Sequence, residues 1–133
     1  MLRLRKVFRN MIKITVMKQT VYKDLMEEYE NPILHACTLK VGDVFYTDGY
    51  TKPEGLCDSA WETIKPFASD LARGIDNFYD GWMKNKKSAM LSCNDGFRPV
   101  SFYIEFLKTK KKNKKVVGID NESDIMFTLP QKV

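Results

Sequence analysis

The sequence predicts an α+β fold: a small single domain with a mostly antiparallel sheet and two helices on one face of it. Segments in which apolar residues alternate with period two flank two segments in which they recur at helical spacing. Short stretches rich in Gly, Pro, Asn and Asp separate these segments, as turns do. The 133 residues are enough for one hydrophobic core and too few for two domains.

The chain begins with a predicted strand and a predicted helix. Residues 11–18 alternate with period two and carry β-branched side chains, which is typical of a half-buried strand. Apolar residues at helical spacing indicate a helix over 21–29 with Thr20 as its N-cap: Tyr22, Leu25, Met26 and Tyr29. The Asn-Pro pair at 31–32 ends that helix, because proline disfavours helix in the residue before it.

A second strand and a longer helix come next. A Gly-Asp turn at 42–43 leads into an apolar run over 44–46, which indicates a strand. The second helix is expected to start near Cys57 or Asp58 and to run to Arg73, followed by Gly74 as a stop signal. Its apolar stripe comprises Ala60, Trp61, Ile64, Phe67, Ala68 and Leu71. Pro66 predicts a kink or a break within it.

Two further strands complete the predicted sheet. Residues 75–87 show no period and contain Phe78, Tyr79 and Trp82 as isolated aromatic anchors. Strands are expected over 88–93 and 100–107, and the second of these alternates strongly. Residues 116–119 and 125–129 predict either a C-terminal hairpin or one strand with a tail.

The positive charge lies outside the predicted core domain. The net charge is +5, yet residues 11–107, the predicted α+β core, hold 11 Lys or Arg against 14 Asp or Glu. A basic N-terminal extension, 1–10, and a Lys-rich loop with a C-terminal extension, 108–133, carry the excess. We therefore expect only weak, non-specific nucleic-acid contact through these basic tails.

The composition predicts a cytoplasmic protein that contacts no membrane. No apolar run approaches the roughly 18 residues that a membrane span needs. Residues 1–10 intersperse charged and apolar side chains, unlike a secretory signal. Three cysteines, an odd number without a C-x-x-C pair, argue for reduced thiols and against a disulfide framework.

Two short cassettes hold most of the residues that could carry chemistry. Residues 52–61, KPEGLCDSAW, and 92–100, SCNDGFRPV, each place a cysteine beside a carboxylate and a tight turn. Cys57 precedes a predicted helix, where the helix dipole favours a thiolate. Cys93 ends a predicted strand, and Cys37 occupies a similar loop before another strand. The three thiols are expected to form one site, while core packing is the alternative for each of them.

Four neighbours of these cysteines are candidate supporting residues. Asp58 either opposes the Cys57 thiolate or caps the helix, and Trp61, one turn later, either lines the site or anchors the core. Asp95 commonly forms a turn by accepting hydrogen bonds from its own downstream amides. Arg98 either binds a carboxylate or phosphate ligand or braces the fold against Asp58, Glu54 or Asp95.

At these cassettes the chain resembles a family of small uncharacterised proteins, roughly a hundred residues long, that is common in anaerobic bacteria and archaea. The motifs KPEGxCxxAW and CxDGxRPVxFxIE, together with Cys37, carry the resemblance, which spans residues 11–105. The family pattern contains all three cysteines, so the resemblance favours a shared thiol site and an anaerobic habitat. It implies no activity. The family usually ends soon after the position of Glu105, so both basic segments are additions here.

Two hypotheses of function follow. The first is a cysteine-based site in which Cys37, Cys57 and Cys93 hold a zinc ion or an iron–sulfur centre, or act in redox chemistry. The second is a non-catalytic binding or oligomerisation module, including a homo-oligomer, with structural cysteines. The sequence does not decide whether the protein is an enzyme.

Overall fold

A computed structural model describes residues 8–33 and 37–110. The element order is β1 (Phe8–Gln19), α1 (Lys23–Tyr29), β2 (Val44–Thr47), α2 (Asp58–Ala72), β3 (Ser88–Ser92) and β4 (Val100–Lys110). The α+β fold with a mostly antiparallel sheet and two helices is therefore confirmed. The predicted C-terminal hairpin lies outside the described residues.

The four strands form one antiparallel sheet in the order β2-β1-β4-β3. The central strands β1 and β4 pair from Phe8 opposite Lys110 to Gln19 opposite Val100, with a register shift between Val16 and Lys18. Both strands continue past the predicted limits of the core at residues 11 and 107. The two segments with the strongest strand patterns thus form β1 and β4, the central strands, each of which pairs with a strand on both sides.

Helix α2 packs across one face of the sheet and forms the core with it. Even-numbered residues in the middle of β1 (12–16) and of β4 (100–104) are buried on the helix side, as period-two alternation requires. The fully buried residues of this layer come from β1, α2, β3 and β4: Ile12, Ile14, Val16, Ala60, Ile64, Ala68, Ala89, Phe102 and Ile104. Their shared burial fixes α2 over β1, β3 and β4.

Helix α2 continues unbroken through Pro66, so the predicted break does not occur. Pro66 lies on the exposed side of the helix, where it costs a backbone hydrogen bond but displaces no core contact. The end of the helix follows the prediction. Gly74 has a φ of +88°, its amide donates to the Leu71 carbonyl, and the Ile75 amide donates to the Asp70 carbonyl, which is a Schellman cap.

Helix α1 differs from its prediction in start and in burial. It begins at Lys23 after Tyr22, which is the N-cap, so the assignment of Thr20 as N-cap was wrong. The Thr20 amide instead donates to the Pro99 carbonyl, which continues the strand contact past Gln19. None of its seven residues is buried, although the spacing predicts an apolar stripe. Its apolar side chains therefore contribute little to the core.

None of the helices within 8–33 and 37–110 is long and apolar enough to cross a membrane.

Candidate functional site

Both cassettes lie at the same end of the sheet, called here the cassette end. β1 ends there, β4 starts there, and Ser92 of β3 pairs with Ser101 of β4. The segment before β2 joins them, since the Gln19 side-chain amide donates to the Leu39 carbonyl at 2.5 Å. The first turn of α2 contacts the turn after β3 through Ser59 and Asn94. The topology therefore brings the segments that carry all three cysteines to one end of the molecule.

The three thiols have different surroundings at this end. Cys57 is exposed and is the N-cap residue of α2, as predicted, but its side chain makes no capping hydrogen bond. Cys93 is half-buried and packs against the core, and its Sγ accepts a hydrogen bond from the Val100 amide at 3.4 Å. Cys37 is exposed. Cys93 is thus part of the packing between β3 and β4, whereas the other two thiols face solvent.

Within the part of the chain that the structure describes, which includes all three cysteines, no group of three or more His, Cys, Asp or Glu could hold a metal ion. The thiols are each free rather than paired as disulfides. The shared thiol site stays a prediction, and its metal-binding form gains no support from this geometry.

Asp58 pairs with a lysine from its own cassette. Its Oδ1 lies 2.7 Å from Lys52 Nζ on the surface, and this hydrogen bond and charge lower the pKa of Asp58. The hydrogen bond of its carboxylate is made with Lys52 rather than with an amide of α2. Of the two roles that the sequence left open, opposing the thiolate and capping the helix, the second is therefore absent.

Arg98 is held by a carboxylate that the sequence analysis missed. Its Nη1 and Nη2 donate to the two oxygens of Glu30 at 3.0 and 2.6 Å. The two side chains are only 19% and 16% exposed, and Asp95 lies at 3.7 Å from Nη1. The hydrogen bond that Arg98 donates to Glu30 raises the pKa of Arg98 further above its usual value. The Nη1–Nη2 end of the guanidinium is thus bound within the fold rather than directed at an open pocket.

No local pattern could have revealed this pair, because 68 residues separate its members. Glu30 follows the last residue of α1 as its C-cap, and Arg98 precedes β4. The bidentate contact therefore ties α1 to the β3–β4 turn, and it explains how a helix without buried residues keeps its place.

The turn after β3 is built by its own polar side chains. Asp95 Oδ1 accepts hydrogen bonds from the amides of Phe97 at 2.8 Å and Arg98 at 3.2 Å, which confirms its predicted turn role. Asn94 reaches α2 instead: its side-chain amide donates to Glu62 at 3.1 Å, and its oxygen accepts from Thr63 at 3.0 Å. The second cassette is therefore fastened to the first by hydrogen bonds.

Trp61 packs against the core while part of its ring stays accessible. With its neighbours on the same side of α2 it lines a shallow, open groove whose residues are Asp58, Ser59, Trp61, Glu62, Lys65 and Pro66. The groove is formed by one helix alone. It presents no converging set of reactive side chains, which favours the core-anchoring role of Trp61.

The sheet face opposite α2, called here the open face, is a surface that sequence reasoning did not identify. Lys13 of β1 lies directly opposite Glu105 of β4 and Tyr46 of β2 in the strand register. Thr15 lies between Tyr103 and Val44 in the same way. Met90 of β3 pairs with Tyr103, and Met11 of β1 pairs with Leu107. These side chains are half-buried or exposed, whereas Ile12, Ile14 and Ile104, which alternate with them on the other face, are buried.

Burial and the nearby Glu105 carboxylate raise the pKa of Tyr46 on this face. Tyr103 accepts a hydrogen bond at its hydroxyl from the Asn85 side chain at 3.3 Å. The alternation of β1 and β4 could have indicated this surface, since a strand that buries one face presents the other. No family model matches the chain, and neither a curated protein nor a solved structure resembles it significantly.

Proposed function

We propose that this protein is a non-catalytic assembly module, in which the open face of the sheet associates with the open face of a second copy. One observation carries the proposal: this face presents tyrosine, methionine and leucine side chains around a single Lys–Glu pair. An antiparallel sheet that faces water normally carries polar residues on that side. The open face departs from this pattern at Tyr46, Tyr103, Met90 and Leu107.

The charges on the open face are complementary to those on the open face of a second copy. Lys13 and Glu105 lie opposite each other on the two central strands. In a dimer with two-fold symmetry the same patch meets itself, so each residue contacts its counterpart's neighbours. A two-fold axis near this pair places the lysine of one copy beside the glutamate of the other. The surrounding apolar side chains then supply the burial that a stable interface needs.

The cassette residues support a structural role for the rest of the molecule. Arg98 and Glu30, Asp58 and Lys52, and the side chain of Asn94 hold elements together. Cys93 accepts a backbone hydrogen bond at the start of β4. Because these polar groups are already engaged in contacts within the fold, they support a binding role for the protein over a catalytic one.

The oligomeric state of the full chain tests the proposal. Sedimentation velocity between about 1 µM and about 100 µM protein should show a concentration-dependent monomer–dimer equilibrium. Thr15→Lys, in the middle of the open face, should shift the protein to monomer. The same substitution at the exposed Thr38, in the segment before β2, is the matched control and should leave the equilibrium unchanged.

A charge swap separates association from folding. Glu105→Lys should weaken the dimer, and the double substitution Lys13→Glu with Glu105→Lys should restore it, because the patch is then complementary to itself again. Thermal unfolding of each variant shows whether the fold is kept. A wild-type chain that stays monomeric over the whole concentration range, or a Thr15→Lys variant that still dimerises, contradicts the proposal.

A thiol-based site at the cassette end is the second candidate, supported by the placement of all three cysteine-bearing segments at one end of the sheet. Its metal form predicts close to one zinc or iron per chain after anaerobic purification. Substitution of Cys37, Cys57 or Cys93 by serine should each abolish that metal, since three thiolates would share it. A metal content far below one per chain removes the metal form.

A further inference from the structure

The aromatic loop, defined here as residues 77–86, is the second surface with a recognisable binding chemistry. It follows α2 and lies at the end of the sheet opposite the cassettes, since the Phe106 amide donates to the Lys87 carbonyl near the far end of β4. The Asn77 amide donates to the Lys86 carbonyl at 2.8 Å and closes the loop. Two of its three aromatic side chains, Tyr79 and Trp82, are 74% and 42% exposed.

Contacts with α2 hold the aromatic rings of the loop in place. Phe78 packs edge-on against Phe67 of α2 at 5.0 Å between ring centroids, and Tyr79 lies 6.4 Å from the same ring. Tyr79 has a φ of +52°, a left-handed conformation that is uncommon for a bulky residue and costs free energy. The backbone therefore displays this ring outward at the expense of local strain.

The two exposed rings leave flat surface for a planar ligand. Tyr79 and Trp82 meet edge to face, with centroids 5.2 Å apart and planes at 81°. Neither ring lies flat on the other, so an aromatic face of the pair stays available for stacking. Aromatic rings of this kind bind the bases of single-stranded nucleic acid, since every base has a face that stacks.

The charges next to these rings suit a phosphate backbone. The loop contains the exposed lysines Lys84 and Lys86 against one carboxylate, Asp80. Nearby Asp76 is already paired with Lys87 at 3.1 Å, and Asp70 is paired with Arg73.

We infer that the aromatic loop is a binding site for single-stranded nucleic acid, in which bases stack on Tyr79 and Trp82 while Lys84 and Lys86 contact phosphates. This site goes beyond the proposed assembly function and uses other side chains, although the loop adjoins the open face through the Asn85–Tyr103 hydrogen bond. It also differs from a non-specific contact of basic tails, because it requires the two aromatic rings.

Fluorescence anisotropy of labelled oligo-dT and oligo-U of about 12 nucleotides with the full chain tests the inference. We expect binding at low salt that weakens at least about tenfold in the double variant Tyr79→Ala, Trp82→Ala. The variant Tyr79→Leu, Trp82→Leu keeps apolar bulk and should weaken binding similarly. Tyr29→Ala is the matched control, since Tyr29 on α1 is also 74% exposed, and it should bind like wild type.

The lysines are tested by salt dependence. Lys84→Ser with Lys86→Ser should reduce the slope of log affinity against log salt by about 0.7 per lysine. The matched pair Lys23→Ser with Lys40→Ser removes the same charge at the cassette end and should leave the slope unchanged.

Four outcomes overturn the inference. They are no binding to either oligonucleotide at low salt, equal binding by wild type and both aromatic double variants, equal affinity for a duplex of the same length, and a slope that the Lys84 and Lys86 substitutions leave unchanged. Loss of self-association in the aromatic variants without oligonucleotide binding by wild type would instead identify the loop as a protein interface. Sedimentation of the same variants keeps this result separate from the test of the open face.

Discussion

At the scale of single residues, the cassette side chains that suggest chemistry are occupied with partners. Both Nη atoms of Arg98 donate hydrogen bonds to the Glu30 carboxylate, and the Asp95 carboxylate accepts hydrogen bonds within its own turn. A bidentate pair fixes direction as well as distance, which lysine or a neutral amide cannot reproduce. The function of Arg98 in this structure is therefore to position α1.

Removing either member of this pair should loosen α1 from the β3–β4 turn. We expect Arg98→Lys and Glu30→Gln each to lower the melting temperature by several degrees, with a double variant no worse than the more damaging single one, because both break the same contact. Circular dichroism melts of the three variants measure this. Strictly additive losses would show that the two side chains act independently.

The hydrogen bonds of Asp48 predict a contribution to stability that depends on pH. Its carboxylate accepts hydrogen bonds from the Tyr50 and Thr51 amides at 2.8 and 2.9 Å, which lower its pKa from the usual 3.8. Because the folded-state pKa is depressed, its contribution is complete above pH 3.8 and is lost as the pH falls through the lower, folded value.

Asp48→Asn keeps an acceptor but removes the charge. At neutral pH it should reduce the free energy of unfolding by up to about 1 kcal/mol, and this difference from wild type should shrink as the pH falls below about 4. Urea unfolding at several pH values measures it. Asp80→Asn, at an exposed site, is the control, and a difference that stays constant with pH would contradict the assignment.

At the scale of elements, two contacts position α2 along the sheet. Asn94 fastens its first turn to the end of β3. Near its other end, Ser69 Oγ donates to the Gly49 carbonyl at 2.6 Å, and the backbone of Gly49 lies against the helix. A Cβ added at Gly49 would come within 2.7 Å of Ala72 Cβ and 2.9 Å of the Ala68 carbonyl oxygen. The loop after β2 is thus packed closely against α2 at Gly49.

Gly49→Ala and Gly42→Ala separate packing from backbone conformation. Both glycines have nearly the same φ, +101° and +98°, but a Cβ at Gly42 would meet nothing within 4 Å. Gly42→Ala should cost about 1 kcal/mol from the left-handed backbone alone. Gly49→Ala should cost about 2 kcal/mol more through overpacking. Chemical denaturation measures the difference, and equal losses would argue against the close contact.

At the scale of the whole molecule, stability comes from one layer between α2 and the sheet. The buried residues of β1, β3, β4 and α2 form a single cluster. The open face contributes no comparable layer within the described residues. A two-layer arrangement of this kind concentrates the hydrophobic contribution on the helix side and leaves the other side of the sheet outside that core.

Isoleucine-to-alanine substitutions test that distribution. Ile64, on α2, is fully buried in the cluster, and Ile75, just after the helix, is exposed. Ile64→Ala should reduce the free energy of unfolding by about 2–5 kcal/mol through lost burial and a cavity. Ile75→Ala should change it by roughly 0.5 kcal/mol or less. Urea unfolding compares them, and similar losses would contradict a core on the helix side alone.

The sequence by itself determined the local elements. Period-two alternation in β1 and β4, the apolar stripe of α2 and the stop at Gly74 each depend on residues close together in the chain. For the same reason the turn role of Asp95 was predictable, because its hydrogen bonds reach only two and three residues ahead. The apolar spacing of α1 predicts a buried stripe, but no residue of this helix is buried in the fold. Spacing alone therefore overstated the burial of α1.

Only the tertiary structure decided what the pattern residues contact. The sheet order placed Lys13 opposite Glu105, 92 positions apart in the chain, and folding brought Glu30 to Arg98 across 68 residues. Such pairs depend on strand register and helix placement, which the whole core sets cooperatively. The sequence indicates which cassette side chains could carry chemistry. The packing of α2 and β4 determines that these side chains instead make contacts that brace the fold.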